Sequence, residues 1–113
     1  MSITNSGAAI AALSALAQEH RLAAFRLLVE AGPEGLPAGT VAEELGIPPS
    51  SLSFHLAHLE RAGLVAKTRI GRTLIYSARF ETVRGLADYL LENCCGGRAC
   101  ADAAVPERLA KGA

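Results

Sequence analysis

The chain has 113 residues, half of them hydrophobic, and its 11 Lys and Arg residues balance its 11 Asp and Glu residues. This length suits one domain and argues against a two-domain enzyme, while the apolar fraction argues against intrinsic disorder. With a net charge of zero, the chain lacks the excess of basic residues that is typical of nucleic-acid-binding domains. The apolar stretch 7–17 is too short to span a membrane and follows no basic segment. We therefore expect no membrane contact and a cytoplasmic location.

The first third of the chain has the periodicity of two helices. A polar start at Asn5 and Ser6 precedes apolar residues at helical spacing, which predict a first helix. A second helix is predicted from about Glu19 to Ala31, because a Gly-Pro pair follows its apolar stripe. The segment Gly32–Gly39 holds three Gly and two Pro residues, so we expect a loop there.

Two short helices with a tight joint are predicted next. Thr40 is expected to cap a helix that Gly46 ends, and a glutamate three residues after the threonine completes a capping box. After a stiff turn with two prolines, Ser50 or Ser51 is expected to cap a longer helix that runs to about Ala62. Two helices joined by so short a turn are the helix-turn-helix pattern.

Beyond these helices the hydrophobic period changes from helical to two. Leu64–Ile70 and Arg72–Ser77 flank a glycine and predict a β-hairpin. A strongly amphipathic last helix is predicted from near Arg79, and the tail from Asn93 is expected to be only partly ordered. This order of elements predicts a mainly α fold with a β-hairpin wing (α+β), a single winged helix-turn-helix domain over residues 1–113.

The charged residues are unevenly placed. Five basic residues and no acidic residue lie in the stretch that covers the end of the second short helix and the hairpin: Arg61, Lys67, Arg69, Arg72 and Arg79. These are the parts of a winged helix that face the phosphates of a duplex. A charge run can also be an ordinary solvated face, and only its coincidence with the helix-turn-helix pattern favours DNA.

The longer of the two helices predicts a reading face. At 100° per residue, its three leucines share the side that must face the core. The other side presents small hydroxyls and Phe54, whose ring would contact a thymine methyl group; the alternative is partial burial against the hairpin. His55 is expected to be a structural histidine, whereas His58 suits either role. The predicted DNA-contacting residues are Ser50, Ser51, Ser53, Phe54, His58, Arg61, Lys67, Arg69 and Arg72.

The segment SSLSFHLAHLERAGLV at 50–65 resembles the recognition-helix signature of the ArsR/SmtB family, and RIGRTLIY at 69–76 resembles the family's wing. The resemblance implies a repressor that binds operator DNA as a homodimer, joined through its first and last helices. Two inducer sites of the family are absent here. The first short helix, at 41–45, has no cysteine, and Asp88 on the last helix has no histidine partner.

Three cysteines crowd near the C-terminus, in the order Cys94, Cys95 and Cys100. They resemble the C-terminal triple-cysteine site of repressors that sense trivalent arsenic and antimony. Three soft thiolates complete the pyramidal shell of As(III) or Sb(III), and Gly96-Gly97 lets the chain fold Cys100 back. We expect residues 93–113 to form this inducer-binding tail, and inducer binding to release the dimer from DNA. A structural zinc site would need a fourth ligand.

Two alternatives to a metalloid-responsive repressor remain open from the sequence. Neighbouring thiols also form disulfides, which would make a redox-responsive repressor on the same fold. A winged helix can also serve as a protein-interaction module that binds no DNA. We expect no enzyme, because the sequence contains no recognisable catalytic triad, phosphate-binding loop or catalytic metal motif.

Overall fold

Residues 3–97 are described by a computed structural model, in which five α-helices accompany a three-stranded antiparallel sheet. In chain order the elements are α1 (Ser6–Leu16), α2 (Glu19–Ala31), β1 (Leu36–Pro37), α3 (Ala38–Leu45), α4 (Pro49–Arg61), β2 (Val65–Ile70), β3 (Thr73–Ala78) and α5 (Phe80–Leu90), followed by a short 3₁₀ turn (Cys94–Gly97). The predicted fold is confirmed: α3 and α4 form the helix-turn-helix, and β2 and β3 form the wing.

The wing is a regular two-stranded hairpin. Its pairing runs from Val65 opposite Ala78 at the base to Ile70 opposite Thr73 at the tip. Gly71 and Arg72 form the two-residue turn, so the second strand begins one residue later than predicted. The strands thus place Arg69 and Arg72 at the exposed tip of the hairpin.

The sequence prediction of a loop over Gly32–Gly39 is wrong in part. Leu36 and Pro37 form β1, which pairs antiparallel with Tyr76 and Ile75 of β3 and gives the sheet the order β1-β3-β2. Gly35 allows this pairing because its φ is 72° and because a Cβ at this position would collide with the carbonyl of Tyr76. The Gly and Pro residues therefore mark a close approach of two backbone segments.

The predicted caps of the helix-turn-helix are also wrong. α3 begins at Ala38, so Thr40 lies inside its first turn, and α4 begins at Pro49, ahead of both Ser50 and Ser51. The N-cap residues are Pro37 and Pro48, and neither makes a side-chain capping hydrogen bond. Pro37 and Pro48 have the extended backbone conformation of an N-cap but no polar side chain. Pro49 is the first residue of α4, where a missing N–H costs nothing because that group would have no partner within the helix.

The core is built from the inner faces of all five helices and the base of the wing. Leu52, Leu56 and Leu59 of α4 are fully buried, as predicted, together with Leu28 of α2. The core-facing residues of α1 are alanines, at positions 9, 12 and 15. Small side chains allow α1 to lie close to the body, while Ile10 and Leu13 on its other side are left exposed.

A buried hydrogen bond joins the start of α5 to the end of the helix-turn-helix. The Thr82 hydroxyl, which is fully buried, donates to the backbone carbonyl of Gly63 over 2.7 Å. Gly63 lies between the C-cap of α4 and the first strand of the wing. The last helix is therefore anchored at the joint between α4 and the wing. Within residues 3–97, no helix has the length and apolar character needed to cross a membrane.

Candidate nucleic-acid interface

The outer face of α4 presents the side chains that the sequence analysis singled out. Ser50, Ser51 and Ser53 are exposed in the first turns of the helix, and Arg61 is exposed at its end. The buried leucines hold the opposite side of α4 against the core, so this face is fixed toward solvent. Exposed hydroxyls near a helix N-terminus let a nucleic-acid backbone approach closely and donate hydrogen bonds to it.

Phe54 stands out on this face because its large apolar side chain is 59% exposed. Its ring packs edge-on against the ring of His58, with centroids 4.7 Å apart, and it also contacts His55 at 5.7 Å. This exposure excludes the alternative of burial against the hairpin. The histidine rings hold Phe54 in place, which presents an ordered apolar surface on a face that is otherwise polar.

The basic residues of the wing differ in their surroundings. The Lys67 ammonium lies 3.7 Å from the Glu60 carboxylate of α4, so part of its charge is offset. Arg69 and Arg72 are exposed near the tip and border a depression of about 570 Å³ between the wing and the start of α3. Among the ion pairs that involve residues 3–97, none includes Arg61, Arg69 or Arg72. No carboxylate within residues 3–97 therefore offsets the charge of these three guanidinium groups through an ion pair.

His55 has the structural environment that was expected of it. Its Nδ1 accepts a hydrogen bond from Nη1 of Arg21 over 3.3 Å, and its ring lies 5.6 Å from the ring of His20. Partial burial lowers the pKa of His55, and so does the positive charge of Arg21. Arg21 could not be predicted at this position, because its contact with His55 joins residues 34 positions apart and no local sequence pattern indicates it.

The two cysteines within residues 3–97 lie side by side after α5. The Sγ atoms of Cys94 and Cys95 are 3.6 Å apart, and Cys95 is exposed. Asn93 and Cys95 both have positive φ, at 58° and 59°, so the backbone has left the regular helix where the two thiols meet. This departure is what adjacent cysteines need in order to face a common centre. Cys100 lies outside the described residues, and residues 3–97 contain no cluster of three metal-ligating side chains.

Comparison with known proteins places the chain among transcription regulators. Residues 16–68 match a helix-turn-helix domain family. The transcriptional activator HlyU of Vibrio cholerae is 32% identical over 91 residues, which are 80% of this chain and 82% of that protein. The solved structure of that HlyU superposes with a TM-score of 0.64 and 31% identity, covering 81% of this chain and 97% of the other. The chain belongs to the same family of winged helix-turn-helix transcriptional regulators as HlyU, a family that includes ArsR-like regulators.

Two further members show the breadth of this ArsR-like family. An ArsR-like transcriptional regulator from Rhodococcus sp. RHA1 is 25% identical, with a TM-score of 0.66, and covers 81% of this chain and 83% of the other. The nodulation protein NolR of Rhizobium meliloti is 37% identical over 71 residues, which are 63% of this chain and 56% of NolR. The match with NolR therefore spans just over half of that protein. Members of this family act on DNA as regulators, not as enzymes.

Proposed function

We propose that this ArsR-like regulator is a homodimeric repressor that binds operator DNA through α4 and the wing, and that As(III) or Sb(III) releases it by binding Cys94, Cys95 and Cys100. The observation that carries the inducer part of the proposal is the 3.6 Å separation of the Cys94 and Cys95 sulfurs at the end of α5. The DNA-binding part depends on the outer face of α4 and on Arg61, Arg69 and Arg72, none of which forms an ion pair with another residue of 3–97.

The exposed face of α4 has the composition of a major-groove reader. The serines provide short hydroxyl donors, Phe54 provides an apolar surface for a thymine methyl group, and Arg61 provides a guanidinium for phosphate or guanine. The wing adds Arg69 and Arg72, which extend the cationic surface beyond the reading helix. Because these cations would bind phosphates, we expect the affinity for DNA to fall as salt rises, with a slope of about −0.9 in log K against log salt for each phosphate contact.

Dimerisation is supported by apolar side chains that the single chain leaves exposed on its first and last helices. Ile10 of α1 is 64% exposed, and Leu90 of α5 is 58% exposed, with Leu91 directly after it. α1 and α5 contact each other within the chain, so both helices contribute to one side of the domain. Covering these side chains with a second copy would remove apolar surface from water, which is the dominant favourable term in association.

The cysteine pair suits a soft centre that binds thiolates. The sulfurs of Cys94 and Cys95, 3.6 Å apart, are close enough to bind one centre, since two thiolates on a tetrahedral zinc ion at about 2.3 Å are roughly 3.8 Å apart. Soft sulfur ligands favour soft or thiophilic centres. Arsenous acid would exchange its three hydroxyl groups for the sulfurs of Cys94, Cys95 and Cys100, and three water molecules would leave. Holding all three sulfurs would fix the chain that follows α5.

The same pair of sulfurs favours a second candidate, a regulator that responds to oxidation. Formation of a disulfide would bring two sulfurs to about 2.05 Å and remove two electrons and two protons to an oxidant such as a peroxide. A structure of the related HlyU from Vibrio cholerae is described as the reduced protein. The two candidates make opposite predictions when all thiols are kept reduced.

Fluorescence anisotropy tests the proposal with a labelled duplex taken from upstream of the protein's own gene. Under full reduction and without oxygen, arsenite should weaken wild-type binding by about 5-fold to 150-fold, the usual range of allosteric coupling. Cys94→Ser, Cys95→Ser and Cys100→Ser should bind DNA like the wild type and lose this response. Release that requires a peroxide and ignores arsenite would replace the metalloid candidate with the redox one. Absence of binding at low salt would refute both and favour a protein-interaction module.

A further inference from the structure

A second group of cationic side chains lies on the flank of α4 that faces away from the wing. Glu60, which contacts Lys67 of the wing, marks one flank of the helix. His58 is two residues earlier, so its side chain is rotated by about 160° from that of Glu60. Arg21 of α2 approaches this far flank, because its guanidinium contacts His55. The reading helix therefore has cationic groups on both sides.

The far flank is concave. A pocket of about 260 Å³ separates α4 from α1 and α2, and Arg21, His58 and Arg61 line it. The rest of its wall is made of small side chains, those of Ala11, Ser14, Ala15 and Ala62. None of these lining residues, all of which lie in the described part of the chain, is acidic. The volume is below the usual range for drug-sized ligands, so the pocket suits a compact polar group.

Arg21 is held in position at this pocket. Its Nε donates to the carbonyl of Ala15 over 2.7 Å, and its Nη1 donates to Nδ1 of His55. A guanidinium has five N–H donors, so these two hydrogen bonds fix its plane and leave donors for a ligand. In residues 3–97, neither Arg21 nor Arg61 forms an ion pair with a carboxylate. The pocket thus contains an ordered cation whose charge is not offset.

The pKa values of the two histidines beside the pocket also indicate a positive environment. Partial burial lowers the pKa of both His55 and His58, and the charge of Arg21 lowers it further. Arg61 adds to the effect on His58, and His20 and His58 add to the effect on His55. An environment that disfavours one more positive charge favours a negative one. A bound anion would reverse the effect and raise the pKa of His58.

We propose that the pocket lined by Arg21, His58 and Arg61 binds a phosphate group, and that in the DNA complex this group belongs to the backbone strand opposite the one that the wing contacts. A helix in the major groove, about 12 Å wide, is bordered by a phosphate backbone on each side. The wing supplies cations for one side, and the pocket supplies them for the other. This inference rests on the proposed DNA binding of α4 and adds a contact from α2.

The salt dependence of DNA binding tests the contact. We compare wild type, Arg21→Gln and the control Arg26→Gln, which removes an exposed arginine from the same helix where it pairs with Glu30 at 4.0 Å. Each lost phosphate contact reduces the slope of log K against log salt by about 0.9, so Arg21→Gln should reduce it by about 2 for a dimer. Arg26→Gln should leave the slope unchanged. Arg21→Lys retains the charge without the guanidinium plane and should recover most of the slope. Such a recovery would show that the smaller slope of Arg21→Gln comes from the lost charge and not from a folding defect.

A second arm uses inorganic phosphate on the DNA-free protein at constant ionic strength, followed by the NMR shifts of the His58 ring. A saturable change that raises the pKa of His58, and that Arg21→Gln removes, would show that the pocket takes free phosphate. A slope change on DNA without such saturation would assign the site to backbone phosphate alone. The proposal is overturned if Arg21→Gln matches Arg26→Gln in slope and free phosphate produces no saturable shift. If the wild type binds no duplex at low salt, the proposed function fails and the free-phosphate arm alone decides on the pocket.

Discussion

Replacement of Gly35 by alanine should destabilise this domain far more than the same change at another glycine with similar backbone angles. Gly35 and Gly46 both lie in the left-handed region, at φ 72° and 67°. A Cβ at Gly46 would meet nothing within 4 Å, whereas a Cβ at Gly35 would collide with the carbonyl of Tyr76. The two substitutions therefore share the cost of a left-handed alanine and differ in the collision.

The magnitudes follow from these two contributions. A left-handed alanine costs about 1 to 2 kcal/mol, which is the expected loss in the free energy of unfolding for Gly46→Ala. Gly35→Ala must also move the backbone of β3 or detach β1, which breaks hydrogen bonds that contribute about 1 kcal/mol each. We expect a total loss of about 3 kcal/mol or more. Since each kcal/mol shifts the melting temperature of a domain this size by about 4 to 8 °C, Gly35→Ala should melt at least roughly 12 °C below wild type.

Thermal unfolding followed by circular dichroism measures both variants under the same conditions, and urea unfolding checks that the transition stays two-state. A result in which Gly35→Ala and Gly46→Ala melt within a few degrees of each other would refute the reasoning. It would mean that β1 is not held close to β3 in the folded protein.

Three other predictions concern the core, the dimer and the histidines. Leu56→Ala should lower the free energy of unfolding by about 2 to 5 kcal/mol because the side chain is fully buried, whereas Phe54→Ala should leave stability nearly unchanged and weaken DNA binding. Urea unfolding and anisotropy distinguish these effects, and a destabilised Phe54→Ala would contradict the exposed position of the ring. Ile10→Asp should convert the dimer to a monomer, as measured by light scattering, because it places a charge on an exposed apolar position of α1. The control Ser6→Asp at the start of the same helix should remain dimeric. If Ile10→Asp is also dimeric, α1 is excluded from the dimer interface. Because the pKa of His55 and of His58 is lowered in the folded state from 6.5, the unfolded chain binds more protons, so stability should fall as pH decreases below about 6.5. Melting curves between pH 7.5 and 5.5 check this, and an unchanged pH dependence in the double variant His55→Gln, His58→Gln would assign the effect to other groups.

Features that depend on local periodicity could be predicted from the sequence. The bounds of α2, Glu19–Ala31, agree with the prediction because Gly32 and Pro33 stop the helix directly after its last turn. The inward leucines of α4 and the two strands of the wing were predicted for the same reason, since their spacing is set by neighbouring residues. The adjacency of Cys94 and Cys95 is given directly by the sequence, and the positive φ of Cys95 lets their sulfurs lie side by side after α5.

Features that depend on distant residues could not be predicted in this way. β1 is only two residues long, and its pairing with Tyr76 and Ile75 depends on a chain segment about forty positions later. Arg21 reaches the reading helix from α2, so no pattern around residue 21 indicates a role at the interface. The caps of α3 and α4 were misplaced because proline starts each helix by fixing the backbone, a mechanism that leaves no polar capping residue to recognise.

The hydrogen bond from Thr82 to Gly63 fixes the start of α5 next to the end of α4, so a displacement of the far end of α5 tilts the helix about this point. α5 has 11 residues, so at 1.5 Å per residue its far end lies about 16 Å from its start. A displacement of about 2 Å at the cysteine end therefore tilts the helix by roughly 7° if its start stays in place. Under the proposed function, such a tilt would pivot at the joint where α4 ends and the wing begins, so a rearrangement around the two sulfurs would act on the point where these two elements meet.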